Sequence, residues 1–305
     1  MGQPFEDDTL LVHPLSDEKA DDLAPSLVHS LAHAWIHSNR PWIDEGLAQF
    51  LSVLWIERKE GRSAALAQME AAERGLALIE PAAPAPDADA ALSAPSGSSS
   101  SSSSSAESPP HDQAPEPPVI SANGTDPGQS LLAATSEVYY RTKAAAVWWM
   151  LRSILGDQAL QQALRAYRLN PALDRDPMGM EKTLEKFSHK DLRWFFDDWV
   201  YRDRGLPDLT ILSVTPSQLD SHSGLPDGWL VAVHVRNDGY ATADVPVTVS
   251  SSTARETVRL RTPGRSDAST RIVFPGTPDV VEVNDGGVPE TRASVHTRQL
   301  ILPAH

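Results

Sequence analysis

Two histidines four residues apart, in His29-Ser-Leu-Ala-His33, bear most directly on chemistry. On a helix they stand about 40° apart on one face, so both imidazoles can grip a single metal ion. A further ligand has to come from elsewhere, and Glu45, in Trp42-Ile-Asp-Glu-Gly-Leu-Ala-Gln-Phe50, is placed to supply it from the start of the next helix. Two histidines and one carboxylate leave a coordination position open for water, the pattern of a catalytic rather than a structural zinc site. A bare histidine pair at this spacing more commonly belongs to a surface or core; Glu45 and the flanking sequence are what favour a metal. His37 continues the stripe but lies about 12 Å along the axis from His29, which makes it a bystander or, less directly, a stand-in base. Asp44 either orients a ligand imidazole or is a solvated acid at a helix N-terminus.

The elements that must position these residues are legible in outline. Asp22 and Pro25 read as a cap and a first-turn proline, followed by Leu27, Val28, Leu31 and Trp35 as the apolar face of the histidine helix. A second helix runs from Ile43 to about Glu57, with Leu47, Phe50, Leu51 and Leu54 inward. Ahead of both, Leu10-Leu-Val12 reads as one strand ended by Pro14.

Residues 81–126, rich in Pro, Ala, Asp and Ser with serine throughout 98–105, have no face that could pack, and are expected to be a disordered insert between two blocks of one helical domain. Asn123-Gly-Thr125 inside it matches a glycosylation sequon on three residues alone. Helical periodicity resumes from about Ser136 through Ile154, restarts after Gly156-Asp157, and continues through Leu160 to Tyr167, Met180 to Phe187 and Asp191 to Val200. The aromatic Trp194, Phe195, Phe196 and Trp199 read as core.

Past Gly205-Leu-Pro207 the period changes to two. Leu230, Ala232 and His234 alternate with Val231, Val233 and Val235, a turn follows at Asn237-Asp-Gly239, and further short runs reach Val283. Five to seven strands from residue 206 onward predict a β-sandwich.

The 305 residues carry a formal charge of −15, which repels nucleic acid and anionic membranes. No run approaches the roughly 18 apolar residues of a membrane span, and the acidic start is no signal peptide. The expectation is a soluble chain acting on a peptide or protein partner, its location and oligomeric state open. Cysteine is absent, so any metal must use His, Asp or Glu.

Taken together, these motifs resemble the membrane alanine aminopeptidase family of zinc metallopeptidases, the gluzincins. Leu27-Val-His-Ser-Leu-Ala-His-Ala-Trp35 is similar to that family's HExxH helix, and Trp42-Ile-Asp-Glu-Gly-Leu-Ala48 to its glutamate-ligand motif. Gln3-Pro-Phe-Glu-Asp7, before Leu10-Leu-Val12, lies where the family carries its GxMEN strand, and Tyr139-Tyr-Arg-Thr-Lys143 where it carries its catalytic tyrosine. The resemblance covers about residues 3–205 and implies a mainly helical, thermolysin-like portion (1–80 and 127–205) followed by an immunoglobulin-like sandwich (206–305). It implies zinc held by His29, His33 and Glu45, Glu6 on the substrate's free amine, and Tyr140 as transition-state donor, with Tyr139 the alternative because the segment has an extra residue before Lys143 relative to YxKG.

The departures carry equal weight. Ser30 stands where the family has the glutamate that activates water and shuttles its proton. A serine hydroxyl is too weak a base for that, so the expected activity is aminopeptidase-type hydrolysis, impaired or lost; the alternative is a non-catalytic peptide- or protein-binding module. Only eleven residues separate His33 from Glu45, fewer than in the family. The chain also starts just before the GxMEN equivalent, which suggests an N-terminal truncation that would leave Leu10–Val12 an unpaired edge.

Overall fold

The computed structural model describes residues 5–7, 10–12, 20–80, 129–219 and 228–302, with side chains from Leu23 onward. The expected insert, its sequon and the side chain of Glu6 lie outside these residues; Asp22, expected as a cap, falls inside a helix that starts at Ala20, its side chain outside those described.

A short antiparallel pair, β1 (Phe5–Asp7) and β2 (Leu10–Val12), opens the chain. Leu10–Val12 therefore has one strand partner, and its other edge, where an unpaired edge was expected, has none among the described residues. The helical portion follows as α1 (Ala20–Trp35), α2 (Pro41–Glu60) and α3 (Arg62–Ile79). After residue 128, a π-helical segment, Val138–Lys143, leads straight into α4 (Ala144–Leu155). Then come α5 (Asp157–Arg168), α6 (Ala172–Arg175), α7 (Gly179–Ser188) and α8 (Arg193–Phe196), the last continuing as a second π turn, Asp197–Tyr201.

Helix α2 is the axis of the core. Trp42, Ile43 and Leu47 are fully buried. The Trp42 ring stacks on Trp148 of α4 at 5.4 Å and meets Phe196 edge-on at 6.2 Å. Phe195, Phe196 and Trp199 pack as core. Helix α1 presents a different face from the one its leucines suggest: Leu27 is 45 % and Leu31 66 % exposed, whereas His29, Ser30 and Ala32 are buried. The polar stripe is turned inward because α2 offers it polar partners. Pro25 lies inside α1 rather than in its first turn, and its carbonyl accepts from the Ser52 hydroxyl at 3.0 Å.

Close approach of α2 to the π segment depends on Gly46. A Cβ there would sit 2.4 Å from the Ala144 Cβ and 3.3 Å from the Tyr140 carbonyl oxygen. Gly46→Ala gains about 1 kcal/mol of helix propensity but overpacks a core contact, which costs about 1–3 kcal/mol. Net destabilisation is expected in urea titrations, and an unchanged midpoint would contradict the contact.

Seven strands form the C-terminal part, in antiparallel sheets ordered β3-β4-β7 and β6-β5-β8-β9. They are β3 (Leu209–Leu219), β4 (Gly228–Asn237), β5 (Ala243–Ser250), β6 (Arg255–Thr262), β7 (Ser266–Pro275), β8 (Val280–Asp285) and β9 (Val295–Gln299). Val231, Val233 and Val235 face Val245, Val247, Val249, Val281 and Val283 as a buried interior, as period two requires. The Asn237-Asp-Gly239 turn is a corner rather than a hairpin, since β4 pairs with β3 and β7 while β5 pairs with β6 and β8. Polar and ring contacts join the two parts: the Trp199 indole donates to the Thr242 carbonyl at 2.9 Å, Asp198 accepts from the Thr242 amide at 3.0 Å, and the Arg261 guanidinium lies 4.0 Å from the Trp194 ring centroid. No helix among the described residues is long and apolar enough to cross a membrane.

Candidate metal centre

Helix α1 carries His29 and His33 on its inward face, and a five-residue turn delivers Glu45 into the first turns of α2. Donor atoms of His29, His33 and Glu45 all lie within 4.8 Å of one another. His29 Nε2 is 3.4 Å from Glu45 Oε2, and His33 Nε2 is 3.7 Å from Glu45 Oε1. Around a tetrahedral zinc with bonds near 2.0–2.1 Å, ligand atoms stand about 3.3 Å apart, so this donor set fits a zinc ion with small side-chain adjustments. The short separation of His33 from Glu45 thus still brings them together.

The turn is held from two sides. Asp44 Oδ2 lies 3.0 Å from His33 Nδ1, while its Oδ1 accepts from the Ser38 amide at 3.0 Å and lies 3.3 Å from His37 Nδ1. A carboxylate on Nδ1 fixes the ring orientation and leaves Nε2 as the ligand atom. His37 is exposed and shares that carboxylate, so its imidazole belongs to the outer shell of the turn. On the other side Asp174 of α6 accepts from the Asn39 amide at 3.0 Å and from the Tyr167 hydroxyl at 2.8 Å, and also from the Ser38 hydroxyl.

The π segment supplies a residue that sequence reasoning missed. Arg141 donates from Nε to Glu45 Oε2 at 3.2 Å, from Nη1 to Glu137 at 2.6 Å, and its Nη2 lies 3.2 Å from His29 Nε2. The tautomer of His29 decides this contact: a ring deprotonated at Nε2 accepts from Arg141, one protonated there donates to Glu45, and in both Arg141 stands against an atom that a metal would need. The His29 imidazole and the Arg141 guanidinium hold the Glu45 carboxyl down at about 2, against the burial that opposes them. A π turn inserts one residue into a helical phase, which is how the extra residue before Lys143 is absorbed. Counting back from Lys143 in the YxKG register lands on Arg141, and that count was the available signal.

Of the two tyrosines, Tyr139 is buried beside Lys143, its ring centroid 5.7 Å from Nζ, and burial first, then the charges of Glu80 and Asp203, push its hydroxyl pKa up. Tyr140 is half-buried, its carbonyl against Gly46. Ser30 is buried next to His29. Glu6 lies on β1, its side chain outside the described residues.

No protein-family model matches the chain, and no curated protein matches it. Solved structures that match in fold include Legionella pneumophila aminopeptidase A, determined in complex with aspartic acid. It superposes with a TM-score of 0.51 at 13% identity, over 93% of this chain. This chain spans 28% of that protein's length. The fold of this chain is therefore similar to a portion of an aminopeptidase, with a histidine, histidine and glutamate group able to hold a metal.

Proposed function

We propose that this chain is a zinc-binding protein of aminopeptidase type that engages peptide ends and hydrolyses them weakly or not at all. The observation that carries the reading is the convergence of His29, His33 and Glu45, with Asp44 orienting His33. Imidazole and carboxylate donors suit zinc, which when bound supplies Lewis acidity for a peptide carbonyl. The chain's own residues explain the weakness. Ser30 occupies the place where a base is needed and offers a hydroxyl instead. Arg141, through Glu45 and His29, favours the non-catalytic binding module as the second reading, because a resident cation opposes the metal at its own ligands.

The test is metal analysis of the purified full chain. About one zinc per chain is expected, lost in His33→Ala and in Glu45→Gln. Zinc at a hundred times its dissociation constant should stabilise the fold by about 2.7 kcal/mol, seen as a lower melting temperature after chelation. A chain without zinc after loading, or one whose zinc survives His33→Ala, would refute the proposal.

A further inference from the structure

A cavity of about 550 Å³ lies between the outer face of α3 and the sandwich segment 285–295, away from the histidine cluster. Leu66, Ala67, Ala77 and Val295 give it apolar walls. Most of the charged groups around it are satisfied within the fold. Asp285 pairs with Arg62 at 2.7 Å, and Arg292 lies 3.6 Å from Asp208. Glu290 accepts from the Leu209 amide at 2.7 Å, from Asn284 at 2.8 Å and from His296 at 3.0 Å.

Glu70 and Arg74 also line it, but both are exposed to solvent; Glu73 is the buried exception. It lines the cavity, is only 7 % exposed, and its Oε1 has no hydrogen-bond partner. Burial, and then the Glu70 charge one turn away, push its carboxyl up to about 8. Buried polar groups are ordinarily satisfied, and an unsatisfied buried carboxyl in the wall of a roomy cavity points to a donor that arrives from outside. Its Oε1 is itself closed off from solvent, so a donor in the cavity reaches it only once the last torsion, which is soft in a glutamate, turns the carboxyl.

We infer that this cavity takes a primary ammonium group carried on an aliphatic stem, the ammonium on Glu73 and the stem along Leu66, Ala77 and Val295. A compact ammonium matches one recessed oxygen better than a guanidinium, whose planar fork seeks two oxygens side by side. The chain's neighbouring segment is excluded as donor: residues 81–128, which leave α3 beyond Glu80, contain neither lysine nor arginine. Two sources share the chemistry, a free alkylamine and a lysine side chain of a peptide.

The experiment is calorimetric titration of the full chain, in chelator so that zinc plays no part, with n-hexylamine, n-hexanol and N-acetyl-lysine methylamide. Saturable binding of at least one of the two amines is expected, weakened at least tenfold by Glu73→Gln and by Leu66→Trp, which fills the cavity; n-hexanol should bind at least tenfold more weakly than that amine. Whichever amine binds more tightly identifies the source. Glu73→Gln is nearly isosteric and removes the buried acid, and its melting curve reports that it remains folded. Absence of saturable amine binding, or equal affinity in folded Glu73→Gln, would overturn the inference and leave the zinc reading untouched.

Discussion

On the zinc-loaded chain, Ser30→Glu combined with Arg141→Ala is expected to raise hydrolysis of an aminoacyl p-nitroanilide by about 10²- to 10⁴-fold, the span a positioned general base contributes. The two changes act on separate deficits. A carboxylate at position 30, next to His29 on the buried face of α1, accepts the proton of the attacking water and returns it to the leaving amine; the present hydroxyl does neither. Arg141 occupies a lone pair of Glu45 and stands against His29 Nε2. Hydrogen bonds to charged groups contribute about 1.5–3 kcal/mol each, and Arg141 keeps the one it already makes to Glu137 when it leaves Glu45. Arg141→Ala alone should therefore tighten zinc by about tenfold to a hundredfold, measured against a chromogenic chelator, while hydrolysis stays near background. A doubly substituted chain with zinc bound and no gain in turnover would end the latent-enzyme reading and leave the binding module.

What could be read from residues alone follows the range of the forces involved. His29 and His33 were legible because the helical period brings positions i and i+4 together without any tertiary information. The sandwich was legible because a two-residue period in Val231, Val233 and Val235 has one structural meaning. Helix α3 was not. Its buried stripe, Ala65, Met69, Glu73 and Leu76, is broken by an acid and surrounded by alanines, so no apolar face stands out.

Leu27 and Leu31 misled for a related reason. Periodicity marks a stripe, but the stripe that turns inward depends on what the neighbouring helix offers, and α2 offers Glu45 and Asp44. Arg141 escaped because a π turn changes the phase of side chains after it, and the one local trace of that change in Val138–Lys143 is the count back from Lys143. Asp174 escaped because it meets Ser38 across 136 positions of sequence.

Lys143→Met is expected to lower stability by about 3–5 kcal/mol, the cost of breaking a buried ion pair by removing one partner. Lys143, Glu80 and Asp203 side chains are all fully buried; Nζ lies 2.6 Å from Glu80 and also contacts Asp203. The three hold together the end of α3, the π segment that aims Arg141, and the entry to the sandwich, where Asp203 takes a left-handed backbone conformation at φ 53°. Without the ammonium, two carboxyls face each other in the interior. Replacing all three by Met, Gln and Asn should recover most of the loss, because the charges and their desolvation disappear together.

The pH dependence gives a second check. Burial raises the Glu80 carboxyl and lifts Glu73 from 4.5 to about 8. A carboxyl with a raised pKa binds more protons folded than unfolded, so stability falls as pH rises from about 4.5 toward 8. Lys143→Met removes the one cation that lowers Glu80 and should steepen that fall, so the gap in melting temperature between parent and variant widens from pH 5 to pH 8. A gap that stays constant would mean that the ammonium does not counter these carboxylates, and a variant as stable as the parent would remove the cluster from any part in positioning Arg141.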